Sequence, residues 1–542
     1  MLPLVRPILL PDFLVGHDAA AHQTYTVLFT RALAQGQIPV RWVEGVADGL
    51  GQPLFNHYQV GFYYLVALLH WTGADLPTAL KLTVVVAWAG GGVFMFLLCR
   101  PLGSLPAALA AALFVWSPYL LVDVYVRSAY PELLAIALAP GVLWSADGVV
   151  RTGRRRFVLV LALTSALLLI SHLPTALIIA PLAAAGPAAS WLLHGRPRGR
   201  IILVAVGGLL GAGLSAFYVL PAVLQLDAVH ISRVTTGNFA YHLHFVQPGW
   251  WFDRSWGYAG SGAGATDQMS LQLGLVQWAV LAAALVCLAI PCLRRRLRVP
   301  AFAVVGWLSV VGVALFMMTA SSAFVWEAIG PLTFVQFPWR LLMLPAVACA
   351  VLAAILLSGI RNRTVQAVLV LCVVAFQWYQ TAPYRETASR RERATVAIHD
   401  PAWPRTDGAT TPPFREAAYD PVSVQGTRQP ASGRWTVAGT AHVIPISAAD
   451  TRLDLAITAP QPVTLVINSP AYPGWRVTVD GRAVTPSIDA DSGHMRVHVP
   501  AGSHHLTAAF GRDRLRSIAE LVSLLSALAL LAHAARRVQG MG

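Results

Sequence analysis

Charged residues are scarce in this chain. Only 12% of its 542 residues are Asp, Glu, Lys or Arg, and 56% are hydrophobic, whereas soluble domains carry about 25% charged residues. Mean hydropathy is +0.60, and many apolar runs reach the roughly 18 residues that a helix needs to cross a bilayer. The scarcity of charge excludes an ordinary soluble protein and predicts a polytopic α-helical membrane protein.

The sequence also lacks the signals of a disulfide framework and of a nucleotide-binding loop. The five cysteines all lie in or at the ends of apolar runs, so we expect no disulfide framework in the polar regions. No glycine-rich phosphate loop of the Walker type is present, which argues against a nucleotide-phosphate site. The net charge of +14 comes from arginines clustered between apolar runs. Such clusters set membrane topology, and we expect no nucleic-acid partner.

Apolar runs of bilayer length predict about eleven spans. They cover residues 77–99, 104–121, 131–149, 157–171, 174–193, 201–220, 271–292, 299–319, 340–358, 364–380 and 516–535. Connectors with arginine clusters alternate with arginine-poor connectors, and the positive-inside rule places the clusters in the cytoplasm. The predicted outer face then comprises residues 1–76, 122–130, 172–173, 221–270, 320–339 and 381–515.

Two apolar stretches near the start do not fit the span pattern. Residues 57–71 are short and have a histidine at each end, which predicts a re-entrant or interfacial helix on the outer face. A short true span is the alternative. Residues 1–16 contain three prolines and too few apolar positions to span. We therefore expect either a chain anchored without a first span or a recorded start that lies inside one.

The outer segment 17–76 begins with "GHDAAAH". Asp18 precedes an amphipathic pattern that predicts a helix with its stop at Gly36, and it is a natural N-cap for that helix. His22 lies four residues later, on the same face of the helix start. Capping is one interpretation of Asp18, and acid–base chemistry is the other. Arg41, next to Trp42, is a further candidate for substrate binding.

Two more outer segments carry candidate residues. The stretch "SPYLLVDVYVRSAYPELL" places Asp123, Arg127 and Glu132 at the ends of adjacent spans, where they either anchor the interface or form a site. Residues 221–270 contain Trp250 and Trp251 before a glycine-serine tract. These tryptophans fit a membrane belt and a sugar- or lipid-binding loop equally well, and the glycines suggest a mobile lid.

Two residues at span ends complete the candidate set. His172 lies in "SHLPTAL" at the outer end of the 157–171 span. Arg340, in "FPWRLL", begins another span and can either bind a lipid phosphate bidentately or extend to the membrane surface.

The last third of the chain has a different composition. Residues 381–515 begin with Arg- and Pro-rich sequence (384–430) and continue with alternating strands, including the Asp-Gly hairpin signal "VDGRAV". We predict a small extracytoplasmic β-sandwich at 381–515. It follows a transmembrane domain at 1–380 and precedes a final helix and cytoplasmic tail at 516–542.

These motifs, in this order, resemble a known group of membrane proteins. "GHDAAAH", "GLGQPLFNHY", "SPYLLVDVYVRSAYPELL", "SHLPTAL" and "FPWRLL" look like the bacterial and archaeal proteins labelled 6-pyruvoyl-tetrahydropterin synthase-related. "AYPGWRVTVDG" and "VPAGSHHLTAAF" before a span are similar to the end of YfhO-type proteins. Both groups resemble members of the GT-C glycosyltransferase superfamily, and the resemblance covers nearly the whole chain.

The resemblance implies a GT-C-like fold with its site on the extracytoplasmic face of a bacterial or archaeal inner membrane. It implies transfer of a sugar from a polyprenyl-phosphate-linked donor in the membrane lipid to an extracytoplasmic glycan, lipid or protein acceptor. In such enzymes an acidic residue of the first outer loop is the base or a metal ligand, and Asp18 matches it. The family has a full span before this loop, whereas this chain has residues 1–16.

The proposed chemistry assigns a role to each candidate. Asp18 is the base, or it holds a divalent cation such as Mg²⁺ or Mn²⁺. His22 orients Asp18 or shares its proton, and Glu132 or Asp123 supplies a second carboxylate. The expected phosphate ligands are Arg127, Arg340 and His172. The rival interpretation is a non-catalytic transporter or an accessory scaffold of cell-envelope polysaccharide assembly, although the spans carry little mid-membrane charge.

Overall fold

The computed structural model describes residues 2–10, 16–44, 51–254, 269–382, 384, 433–489 and 492–535. The predicted glycine-serine lid after Trp256 and almost all of the Arg- and Pro-rich segment 384–430 lie outside the described residues.

Helices make up most of the described chain before residue 381. They are α1 (Leu2–Leu9), α2 (Ala19–Ala34), α3 (Leu54–His57), α4 (Gly61–Trp71), α5 (Leu76–Cys99), α6 (Ser104–Val115), α7 (Pro118–Val122), α8 (Tyr130–Thr152), α9 (Arg155–Ser171), α10 (Leu173–His194), α11 (Gly199–Leu214), α12 (Ala216–Leu224), α13 (Leu275–Ala289), α14 (Pro291–Arg294), α15 (Ala301–Met317), α16 (Ala323–Ala328), α17 (Met343–Ser358) and α18 (Arg363–Gln380). A last helix, α19 (Arg514–Ala535), follows the strands. Ordinary sequence signals set several of the bounds. Asp75 caps α5 by accepting a hydrogen bond of 2.7 Å from the Thr78 backbone N–H.

Five described helices are long and apolar enough to cross a membrane. They are Leu76–Leu102, Tyr130–Thr152, Leu173–His194, Pro338–Ser358 and Arg514–Ala535. Three pairs bent by 42°, 70° and 93° reach that length only when each pair counts as one span: 104–127, 199–224 and 301–328. The chain is therefore a membrane protein by length and composition, with five to eight such segments in the described part, and the count of eleven stays a prediction.

Two sets of contacts each join connectors that the sequence places on the same side of the membrane, although the alternation itself stays a prediction. On one side, Arg200 Nη1 donates to the carbonyls of Val150 and Arg151 at 2.9 and 2.6 Å, which joins two of the arginine-rich connectors. On the other side, Arg127 and Arg340 share a partner, which joins two of the arginine-poor connectors. Which side faces the cytoplasm stays a prediction.

Helices α8 and α17 form the centre of the helical part, because 89% of the apolar window of each is buried. Helix α19 lies at the edge, with 11% buried. Helix α4 has 11 residues, so it is about 16 Å long at the usual rise, roughly half of a bilayer core. This length fits the predicted non-spanning helix.

In the part of the chain that the structure describes, nine strands build two antiparallel sheets on one hydrophobic core. The four-stranded sheet has the order β1–β4–β8–β7 and the five-stranded sheet the order β2–β3–β9–β5–β6. Their bounds are β1 (Trp435–Ala438), β2 (His442–Ala449), β3 (Arg452–Ala459), β4 (Val463–Pro470), β5 (Trp475–Val479), β6 (Arg482–Val484), β7 (Ser487–Ile488), β8 (His494–Val499) and β9 (Gly502–Phe510). Leu455, Leu465 and Val497 from both sheets share the core.

The predicted Asp-Gly hairpin is present. Val479 pairs with Arg482 across the turn, and Asp480 and Gly481 both have positive φ, at 51° and 75°. Two consecutive positive φ values are typical of the type I′ turn that Asp-Gly favours.

Candidate functional site

A π-helical turn at Asp123–Arg127 positions the first outer loop. The turn ends at Ser128, which has the left-handed φ of 55°, and π turns and left-handed non-glycine residues often mark functional sites. The freed carbonyls of Val126 and Arg127 accept hydrogen bonds from the backbone N–H groups of His17 and Asp18, at 2.9 and 2.8 Å. The connector therefore holds Asp18 directly against the charged residues of α8.

Gly16 makes this close approach possible. A Cβ atom on Gly16 would lie 2.1 Å from the Ser128 Oγ atom and 2.9 Å from the Ser128 backbone nitrogen. A larger residue would push the loop, and Asp18 with it, away from the connector.

Arg127 is buried in the centre of an ion-pair network. Its Nη1 atom donates to Asp123 Oδ1, its Nη2 atom donates to Glu132 Oε2 at 2.8 Å, and its guanidinium lies 4.7 Å from the centre of the Trp339 ring. The second oxygen of Asp123, Oδ2, is buried and has no hydrogen-bond partner. The guanidinium of Arg127 is therefore occupied by contacts with two carboxylates and an aromatic ring of the protein.

Glu132 joins two arginines from different helices. Its Oε2 atom lies 2.8 Å from Arg127 Nη2 and 3.2 Å from Arg340 Nε. Its Oε1 atom accepts a hydrogen bond of 2.6 Å from the Tyr119 hydroxyl. Two arginines thus balance the two carboxylates of Asp123 and Glu132, so the network is neutral without an added anion. The guanidinium groups predicted to bind a lipid phosphate are already compensated by protein.

Asp18 is a third carboxylate beside the two arginines and the two carboxylates that balance them. It stands at the N-cap position of α2, but its side chain makes no capping hydrogen bond, and no described residue donates a hydrogen bond to it. It interacts electrostatically with Arg127, Arg340 and Glu132, and burial raises its pKa above that of an ordinary aspartate. Capping therefore does not explain the Asp18 side chain, and a raised pKa makes it a better proton acceptor.

His22 is directed away from Asp18. Its Nδ1 atom forms a hydrogen bond of 2.7 Å with the Tyr63 hydroxyl, and its ring centroid lies 5.3 Å from that of Tyr130. Burial lowers the pKa of His22 to about 3, so the imidazole is neutral at neutral pH. The predicted pairing with Asp18 is absent from the described contacts, because an aromatic cluster on α4 and α8 takes up the ring instead.

His172 has a defined tautomer because it caps α10. Its Nδ1 atom accepts a hydrogen bond of 3.2 Å from the Thr175 backbone N–H and lies 2.8 Å from Thr175 Oγ1. The proton must then sit on Nε2, which has no hydrogen-bond partner among the described residues. His172 also interacts electrostatically with Glu132 and Arg340. The ring therefore offers one N–H donor next to the ion-pair network.

Arg41 belongs to a different buried cluster. Its guanidinium donates to Asn56 Oδ1 at 2.8 Å, to the Phe217 carbonyl at 2.9 Å and to Glu520 Oε1 at 3.2 Å. The Asn56 amide in turn donates to the Tyr472 hydroxyl at 2.6 Å. We call these residues the docking cluster, because they join the first outer loop to the β-sandwich and to α19. The structure does not bring the predicted substrate ligand Arg41 to the Asp18 site.

The two tryptophans of the third outer segment also lie apart from the network. Trp251 is buried, and its carbonyl accepts hydrogen bonds from the Leu273 backbone N–H at 3.0 Å and from Trp278 Nε1 at 3.3 Å. Trp250 is half-buried and packs on the core. Trp251 therefore contributes to packing, and its ring is not presented as a flat platform for a sugar.

The described residues do not fit a metal site at Asp18. No three His, Cys, Asp or Glu side chains of the described part come close enough to hold one ion. The nearest other carboxylates, Asp123 and Glu132, are held by arginines. The sequence did not predict the roles of Tyr119 and Tyr63. Nothing in an apolar run distinguishes a tyrosine that hydrogen-bonds to a buried carboxylate, as Tyr119 does, or to a buried histidine, as Tyr63 does.

Comparisons with known proteins give few matches. No family model matches the chain, and no curated protein matches it. Among solved structures, a cryo-EM structure of the arabinofuranosyltransferase AftD from mycobacteria matches with 18% identity and a TM-score of 0.40, over 68% of this chain and 26% of that one. A mutant of the same protein matches with 17% identity and a TM-score of 0.41, over 67% and 25%. The chain thus spans about a quarter of the length of these proteins.

Proposed function

We propose that this chain is a membrane glycosyltransferase that uses a polyprenyl-phosphate-linked sugar and an extracytoplasmic acceptor, with Asp18 as the general base. The observation that carries the proposal is the free carboxylate of Asp18. It lies beside a network whose other charges are balanced, and burial raises its pKa. The order of the sequence motifs, which resembles that of GT-C proteins, supports the reaction class.

The proposed reaction is a substitution at the anomeric carbon of the donor sugar. The acceptor hydroxyl oxygen forms the new bond to that carbon, and its proton passes to the Asp18 carboxylate. The bond between the anomeric carbon and the phosphate oxygen breaks, and the polyprenyl phosphate leaves with the electron pair. A lipid phosphate is a stable anion, so it needs hydrogen-bond donors more than it needs an acid.

His172 and Arg340 each have an N–H group that donates to no described residue. The Nε2–H group of His172 has no hydrogen-bond partner among the described residues. Arg340 donates from Nη1 to the Val335 carbonyl at 2.8 Å and to Gln336 Oε1 at 3.0 Å. Its Nε atom is ion-paired with Glu132 Oε2 at 3.2 Å without forming a hydrogen bond, and its Nη2 atom donates to no described residue. Both residues interact electrostatically with Glu132, on the same network as Asp18. We propose that these two groups bind the leaving phosphate, whereas Arg127 holds the network together.

The test compares purified wild-type protein with the Asp18→Asn variant in lipid nanodiscs. A panel of polyprenyl-phosphate sugars is supplied, and both transfer and slow hydrolysis of the donor are followed by mass spectrometry. We expect Asp18→Asn to lower the rate about 10²- to 10⁴-fold, the usual contribution of a general base. The matched control is Asp227→Asn, an exposed acid in another predicted outer segment, which should keep the full rate.

Stability measurements separate this role from helix capping. Replacing a capping aspartate by alanine costs about 1 kcal/mol, but the Asp18 side chain makes no capping hydrogen bond. We therefore expect Asp18→Ala to leave the free energy of unfolding nearly unchanged while activity collapses. Full activity in Asp18→Asn, or no donor turnover by wild type with any sugar, contradicts the proposal and favours the non-catalytic scaffold.

A further inference from the structure

A polar cavity of about 300 Å³ lies beside the start of α7. Its lining residues are Pro118, Arg254, Gln272, Gln380, Thr381 and Tyr384. Pro118 borders the cavity, while the next residue, Tyr119, donates its hydroxyl hydrogen to Glu132. Adjacent residues of α7 therefore contact the cavity and the candidate catalytic network.

Hydrogen bonds hold the walls of this cavity in place. Gln377, one turn before Thr381, donates from Nε2 to the Trp116 carbonyl at 2.6 Å, which fixes the end of α18 beside Pro118. On the opposite wall, the Gln272 amide donates to Ser270 Oγ at 3.0 Å and to the Tyr384 hydroxyl. The cavity is thus largely preformed, as ligand sites usually are.

The cavity presents unused hydrogen-bonding groups of both kinds. Arg254 is exposed at the rim, and no described residue pairs with its guanidinium. The Oε1 atoms of Gln272 and Gln380 accept no hydrogen bond from the described residues, since each amide is engaged through its nitrogen. A phosphate needs donors only, and carbonyl oxygens repel it. Sugar hydroxyls both donate and accept, so the mixture matches a sugar.

We propose that this cavity binds a sugar unit of the acceptor. The inference rests on the proposed transferase function, because adjacent residues of α7 border the cavity and contact the network beside Asp18. The volume of about 300 Å³ lies at the lower end of the range of ligand pockets, about 300–1,000 Å³, which suits a single sugar unit. Arg254 at the rim holds the ligand by its charged, multiply donating guanidinium.

The test measures binding of free monosaccharides to the full-length protein in nanodiscs by saturation-transfer NMR. The probes are a neutral hexose, a neutral pentose and a uronic acid, with inorganic phosphate as competitor. We expect at least one sugar to bind to wild type, and Arg254→Ala to weaken its binding about tenfold, the effect of losing a charge-assisted hydrogen bond. Gln380→Met should weaken it about fivefold. The matched control is Arg233→Ala, an exposed arginine of the same outer segment.

The outcomes separate this cavity from the proposed reaction. Sugar binding that persists in Asp18→Asn and is lost in Arg254→Ala supports the cavity, even where donor turnover fails. Absence of sugar binding to wild type, equal binding to the Arg254 and Arg233 variants, or displacement of the sugar by inorganic phosphate overturns it.

Discussion

Replacing Glu132 by glutamine should destabilise the protein by about 3–5 kcal/mol, the cost of breaking a buried ion pair from one side. The carboxylate is 2% exposed and pairs with Arg127 at 2.8 Å and with Arg340 at 3.2 Å. It also accepts the Tyr119 hydroxyl at 2.6 Å. A neutral amide of the same shape keeps at most part of these hydrogen bonds. Arg127 would keep its ion pair with Asp123, whereas Arg340 would lose its carboxylate partner and keep the electrostatic interaction with Asp18.

The assay is denaturant unfolding of the protein in mild detergent, followed by tryptophan fluorescence. The matched control is Arg452→Gln on the β-sandwich, where the ion pair with Asp454 has an arginine side chain that is 55% exposed. Exposed pairs contribute less than about 1 kcal/mol, so the control should unfold nearly as wild type does.

A double variant tests the cause of the loss. Glu132→Gln combined with Arg340→Gln removes one charge of each sign, and we expect it to be less destabilised than the sum of the two single variants by at least about 1 kcal/mol. Two results refute the reasoning: a loss below about 1 kcal/mol for Glu132→Gln, or strictly additive effects in the double variant.

Three further predictions concern the proton, the donor and the docking cluster. Because burial raises the pKa of Asp18, the native fold favours its protonated form. The rate of transfer should therefore fall, as pH is lowered, at a higher pH than an ordinary aspartate predicts, and an acid limb at an ordinary pKa contradicts this. His172→Asn keeps a good cap but lacks the Nε2–H donor, so the rate should drop about 10²-fold with unchanged Tm; an unchanged rate removes His172 from the site. Arg41→Met should cost about 3 kcal/mol of unfolding free energy, because Glu520 and Asn56 lose a partner, while folded protein still hydrolyses the donor. Equal loss of hydrolysis would return Arg41 to the site.

The sequence alone could predict which residues at the ends of spans lie on the same side of the membrane. The alternation of arginine clusters placed Asp18, Arg127, Glu132, His172 and Arg340 at one side, and the structure makes them neighbours through direct or electrostatic contacts. This works because hydropathy and the positive-inside rule are one-dimensional signals that every span repeats. The helix after Asp18 and the Asp-Gly hairpin were predictable for the same reason, since each is encoded within a few residues.

The partner of each side chain could not be predicted in this way. The partner of Arg41, Glu520, is 479 residues away in the chain, and that of His22, Tyr63, is 41 residues away. Such pairings depend on how helices and sheets pack, and no local pattern records that packing. The π turn at Asp123–Arg127 was equally hidden, because its sequence is compatible with an ordinary helix.

The docking cluster and the ion-pair network at Asp18 differ in how completely their polar groups are paired. This difference distinguishes a structural contact from a functional site. In the docking cluster, Glu520 pairs with Arg41 at 3.2 Å and also with Arg512 at 2.6 Å, and beside it Arg516 pairs with Asp513 at 3.0 Å. Three arginines share two carboxylates, and each of these charged groups has a partner of opposite sign. Such matching fits a cluster that fixes the β-sandwich against the outer loop.

The network at Asp18 has unmatched groups besides the buried Oδ2 atom of Asp123. Asp18 keeps an unpartnered carboxylate, and His172 and Arg340 each keep a donor that no described residue uses. Burying unused polar groups costs free energy, so a purely structural cluster has no reason to retain an acceptor and two donors side by side. A substrate with a hydroxyl to be deprotonated and a phosphate to be bound would satisfy all three at once, and for this reason the incomplete cluster, and not the complete one, carries the proposed reaction.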